Sequence, residues 1–109
     1  MMRMPMSAAA SALLRDLLSH TNVSRDRVLL TEARSVEWQS FTFVGERHQF
    51  SLRIAAPDAG DLAAAFCKGL LDAEFAIPGQ IVADIAAQAM EPQSDGSILF
   101  TIEALTIAE

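Results

Sequence analysis

Two histidines, His20 and His48, are the only side chains of this 109-residue chain whose ordinary pKa lies near neutrality, apart from its one thiol. His48 falls in the run Glu46-Arg47-His48-Gln49-Phe50. By strand register it is expected beside Phe43 and Phe50, at the rim of a sheet. An imidazole there can act as a general base or touch a ligand. Only Glu46 and Arg47 are near enough in sequence to orient it. Asp84 and Glu103 are the carboxylates that would join it. Both are expected on one face of the last strand pair, and paired carboxylates do acid–base work when burial raises one pKa. At their offset along the strands they also read as independent surface charges, with Glu103 able to accept a hydrogen bond from Gln88. An enzyme reading uses His48 with Asp84 or Glu103, in a cleft at the sheet mouth or at a dimer seam. The plainer reading makes His48 a partly buried structural residue near a turn.

The other reactive groups carry less. Cys67 is expected well inside a helix, away from the electropositive terminus that activates a thiol, and reads as a small hydrophobe. Arg34, Arg47 and Arg53 could line an anion strip, but Glu37 and Glu46 are interleaved with them, so they read as a solvated face. Two isolated histidines with no clustered acid or thiol do not make a metal site. No glycine-rich phosphate loop and no nucleophile elbow is present. The expectation is no metal and no cofactor.

These residues must be held by elements, and the hydrophobic pattern gives them. Ser7 to about Ser19 has Ala10, Leu13, Leu14, Leu17 and Leu18 at helical spacing, with Ser7 as cap. Two alternating strand pairs, roughly Arg34–Ala56 and Ile81–Ala108, flank a second amphipathic helix near Asp58–Ala73. In that helix Ala59, Leu62, Ala63, Phe66, Leu70 and Ala73 form the apolar stripe, Asp58 is the expected N-cap, and Gly69 implies close packing. Val28–Ala33 reads as an extended lead into the first hairpin.

The first hairpin is expected to turn at Gly45-Glu46, with a bulge near Gln39 or Ser40. Its core face would collect Val36, Trp38, Phe41, Phe43, Phe50, Leu52 and Ile54. The second is expected to turn at Asp95-Gly96, pairing Ala89 with Ile102 and Ala87 with Ala104. The order α-β-β-α-β-β predicts an α+β two-layer sandwich: an antiparallel sheet of four or five strands with two helices, ferredoxin-like or related. The expected organisation is a single domain over 1–109, with 1–6 frayed.

Charge and composition narrow the function. Residues 1–56 set seven arginines against five acids, a net of +2, whereas residues 57–109 set Lys68 alone against nine acids, a net of −8. The total of −6 argues against nucleic acid. The asymmetry could let the halves attract each other within a chain or between chains. The start resembles a secretion signal only superficially, because its apolar run is short and Arg15-Asp16 come directly after it. No run approaches a membrane span, so no membrane partner is expected. One cysteine excludes an internal disulfide and fits a reducing compartment, so the cytoplasm is the expected location.

The outer face of the second hairpin is expected to mix Val82, Ala86, Met90, Leu99, Leu105 and Ile107 with Asp84, Gln88, Thr101 and Glu103. Such a half-apolar face marks contact with something, a partner or ligand, or else is covered by the chain's own Ser7–Leu18 or Val28–Ala33. The leading reading is therefore a non-enzymatic homodimeric module, for interaction or for a small-molecule ligand, with Val82, Met90, Leu99, Leu105 and Ile107 at the interface.

Overall fold

The computed structural model describes residues 6–109, so most of the expected frayed segment, residues 1–5, lies outside the described residues. The first helix, α1, runs Ala8–His20. Ser7 Oγ accepts a hydrogen bond from the Ala10 N–H at 3.1 Å, which satisfies one of the donors a helix start leaves open. A short 3-10 turn, Arg25–Arg27, leads into β1, Val28–Gln39. Val28–Ala33 is thus the first half of β1. Next in the chain are β2 (Val44–Ile54), α2 (Ala59–Asp72), β3 (Gln80–Pro92) and β4 (Ile98–Ala108). The strands form one antiparallel sheet in the order β1-β2-β4-β3. This is the expected α+β class and element order.

Both helices lie on one face of the sheet. Leu13 and Leu17 of α1 and Ala63, Phe66 and Leu70 of α2 bury against Phe50, Leu52, Ile54, Phe100 and Ile102. Phe66 meets Phe100 edge-on, centroids 5.1 Å apart, which adds about 0.5–1.5 kcal/mol beyond the area buried. Gly69 has the close contact its place in the stripe implies. A Cβ there would stand 2.7 Å from the His20 carbonyl oxygen and 2.8 Å from Thr21 Cα, so the end of α1 rests on bare backbone. Asp58 occupies the N-cap position of α2, but in a left-handed conformation (φ 62°) with no side-chain cap bond.

The first hairpin differs from expectation. It turns at Ser40–Phe43, where Ser40 exchanges bonds with Phe43: its N–H donates to the Phe43 carbonyl and its Oγ accepts from the Phe43 N–H. The core partners of Phe50 and Leu52 are therefore Ala33 and Leu30. Phe41, at 106% relative exposure, and Phe43 are in solvent, and Val36 and Trp38 lie on the face away from the helices. Gly45 imitated a turn residue because it is a glycine for another reason. A Cβ there would come within 2.1 Å of the Thr106 carbonyl oxygen on β4. The bulge sits at Thr31, not at Gln39 or Ser40.

The second hairpin does close around Asp95-Gly96, with Gly96 at φ 87°. Asp95 accepts from the Ser97 N–H and hydroxyl and from the Arg53 guanidinium, bonds that hold its carboxyl below the usual range, those from Ser97 foremost. The turn takes three residues, Ser94 to Gly96, and a bulge at Ala89-Met90 takes one more. Ala87 therefore meets Ile102 and Ile85 meets Ala104, a shift of two from the expected pairs. A further bulge at Ala83 flips the alternation, which carries Ile81 to the outer face and Val82 to the helix side.

Candidate interaction face of the sheet

The helix-side chemistry centres on His48. It is 2% exposed, stacks on Phe50 and bridges two strands: Nδ1 lies 2.8 Å from Ser35 Oγ on β1, and Nε2 lies 2.8 Å from Thr106 Oγ1 on β4. A neutral imidazole carries one N–H and one lone pair, and hydroxyls serve as donor or acceptor, so both ring nitrogens are satisfied. Burial holds the His48 pKa below its ordinary 6.5, and the Glu46 carboxylate offsets this only in part. Phe43, expected beside it, is away in the β1–β2 turn.

Asp84 and Glu103 project from the opposite face. Alternation decides this: His48 pairs with Ala104, one residue from both Glu103 and Leu105, and Asp84 pairs with Leu105. The sheet itself separates the imidazole from both carboxylates, so the expected pairing of His48 with Asp84 or Glu103 does not form. Sequence reasoning missed Ser35 and Thr106, the partners His48 does have. A serine and a threonine in long strands carry no signal for that role until the register is known.

The outer face is best read in rows across the four strands, in the order β1, β2, β4, β3. One row is Leu29, Arg53, Leu99, Glu91. Next come Glu32, Ser51, Thr101, Gln88, then Arg34, Gln49, Glu103, Ala86. After these come Val36, Arg47, Leu105, Asp84, and finally Trp38, Gly45, Ile107, Ile81. The last row is wholly apolar; Ile81 in it is 52% exposed, and Val36, next to Trp38 on β1, is 57% exposed. Trp38 leans over Gly45, and its Nε1 is buried without a hydrogen-bond partner among the described residues.

Of the residues expected at an interface, Leu99, Leu105 and Ile107 lie on this face. Val82 does not, because of the bulge at Ala83. Met90 sits in the other bulge, exposed, outside the rows. Glu103 accepts from Gln88 Nε2 at 3.0 Å, as expected.

Arg34, Arg47 and Arg53 stand on the β1–β2 side of the face, with Glu32 among them and paired to Arg34, and Asp84, Glu91 and Glu103 stand on the β4–β3 side. Between them lies a depression of about 240 Å³ lined by Arg34, Arg47, Asp84, Glu103 and Leu105, among others. Among the described residues neither Arg47 nor Asp84 nor Glu103 makes an ion pair. Glu103 has the bond from Gln88, and Arg47 and Asp84 have no side-chain partner among the described residues. No group of three or more potential metal ligands occurs among the described residues. No described helix is long and apolar enough to cross a membrane. Cys67 is a half-buried free thiol whose pKa burial raises.

No protein-family model matches the chain, and no curated protein does so significantly. Among solved structures it is similar to the type 4 fimbrial biogenesis protein PilO from Pseudomonas aeruginosa. The TM-score is 0.55 at 17% identity, over 96% of this chain and 72% of that one. At that identity the likeness is one of fold: both chains share this α+β architecture.

Proposed function

We propose that the protein is a non-enzymatic interaction module that docks protein, foremost a second copy of itself, on the outer face of its sheet. The observation that carries this is the bare face itself, where a fully apolar row adjoins Arg47 and Asp84, which make no ion pair among the described residues. A protein occupant fits better than a small molecule. The central depression, about 240 Å³, is smaller than the roughly 300–1,000 Å³ of ligand pockets, and it is open. An enzyme reading loses its acid–base pair to the sheet that separates His48 from Asp84 and Glu103. The likeness to PilO, a fimbrial biogenesis protein, supports a part in building an assembly.

The finer fold label we propose is ferredoxin-like with relocated chain ends. The order β1-β2-β4-β3 is what results when the first strand of a β-α-β-β-α-β unit is moved to its end.

Leu99→Glu and Leu105→Glu, each placing a charge on the docking face, test the reading. Sedimentation should show each variant at the mass of one chain and the parent at two, with far-UV circular dichroism unchanged. Unchanged mass for both variants would overturn it.

A further inference from the structure

We propose that two copies stack sheet to sheet about a two-fold axis running along the strands, and that the charge division of the outer face selects this orientation. The inference rests on the docking reading above and adds the arrangement and the residues that specify it.

The strand edges are poor alternatives. β3 is broken by bulges at Ala83 and Ala89-Met90 and ends at Pro92, and β1 is bulged at Thr31, the devices that blunt an edge. The face is large enough. Four strands about 4.8 Å apart and some ten residues of about 3.3 Å each give a footprint of roughly 600 Å² per partner, or about 1,200 Å² in total, the lower end of stable interfaces.

Two two-fold axes can lie in the plane between stacked sheets. An axis across the strands keeps each strand over itself and reverses the rows, so Arg34 meets the partner's Arg34, Glu103 meets the partner's Glu103, and the apolar row falls on the row that holds Arg53 and Glu91. An axis along the strands places β1 over the partner's β3 and β2 over its β4, and keeps each row over itself in reverse. Arg47 then stands over the partner's Leu105, one strand from the partner's Asp84. Arg34 stands over the partner's Ala86, one strand from the partner's Glu103, for which it would leave its exposed 3.4 Å pair with Glu32. Arg53 stands over the partner's Leu99 beside the partner's Glu91, but Asp95 and Ser97 of its own chain already hold its guanidinium, so the selection rests on Arg47 and Arg34. The apolar row covers itself, Trp38 over the partner's Ile81 and Gly45 over the partner's Ile107. Each of these contacts occurs twice by symmetry. Long arginine side chains span one strand spacing, and opposed charges at a rim fix orientation more than they add affinity.

The test is a charge reversal read by sedimentation equilibrium. Arg34→Glu with Arg47→Glu makes one chain acidic across the face; Asp84→Arg with Glu103→Arg makes another basic. Each alone should dimerise on the order of tenfold more weakly or worse, and an equimolar mixture should recover a mixed dimer. The unmodified chain gives a check that needs no variant: raising salt from 50 mM to 1 M should weaken its dimer, because the Debye length falls to about 3 Å.

Reversals that leave the dimer unchanged, a mixture that fails to recover it, or a dimer indifferent to salt would overturn the inference. If Leu105→Glu still dissociates the dimer in those cases, the docking face stands and only the orientation falls. A parent chain that is monomeric throughout would overturn both.

Discussion

Two glycines of the same helix should respond to alanine with opposite signs. In α2, Gly60 has only Ile98 Cδ1 near the position of an added Cβ, at 4.0 Å. Gly60→Ala should therefore gain part of the ~1 kcal/mol by which alanine favours a helix over glycine, less the discount of a first-turn site. At Gly69 the same propensity gain is opposed by backbone. The new methyl would meet the His20 carbonyl oxygen at 2.7 Å and Thr21 Cα at 2.8 Å, whereas ordinary contact begins near 3.5 Å. Neither atom belongs to a side chain that can rotate away, so the end of α1 must withdraw from α2. Overpacking of this kind costs about 1–3 kcal/mol. With two backbone contacts under 3.0 Å the cost falls in the upper part of that range, about 2–3 kcal/mol, so after the ~1 kcal/mol propensity gain Gly69→Ala should be destabilised by about 1–2 kcal/mol. At about 4–8 °C per kcal/mol for a domain of this size, its Tm should fall by roughly 5–15 °C, while that of Gly60→Ala rises by a few degrees. Thermal and urea unfolding monitored by circular dichroism measure both. A Gly69→Ala protein as stable as the parent would refute the packing of α1 on Gly69.

Two further outcomes rest on the burial pattern. The His48 imidazole has a folded-state pKa depressed by burial, so its contribution is present above the unfolded value near 6.5 and is lost as pH falls through the folded pKa. Stability should decline below about pH 6.5, and His48→Gln should flatten that part of the profile; equal slopes for the two proteins in urea titrations would contradict it. Phe41 stands free in the β1–β2 turn, so Phe41→Ser should change stability by less than about 0.5 kcal/mol, where a core phenylalanine would cost several.

The helices and the element order were legible because they rest on local signals: the 3.6-residue stripe of Leu13, Leu17, Phe66 and Leu70, the cap at Ser7, the turn at Asp95-Gly96. The strand faces were not, because alternation is reset wherever a bulge adds a residue. Thr31, Ala83 and the Ala89-Met90 pair have no side-chain signature for that, yet each resets which neighbours point to the helices. The bulge at Ala83 alone sent Val82 inward and Ile81 outward. Phe41 and Phe43 alternate like core residues, and only the strand pairing reveals that they form the turn. The charge division was visible as an excess of arginine in one half and of acid in the other. Its meaning came from the sheet order, which keeps the first hairpin on one side of the face and the second on the other.

The central claim is that the outer face is covered by a second copy. The measurement that tests it most directly is the absolute mass of the parent chain by light scattering behind size-exclusion chromatography, over a wide range of loading concentrations. The parent chain should run at twice its 11.8 kDa, falling toward 11.8 kDa on dilution. A mass of 11.8 kDa at every concentration would contradict it.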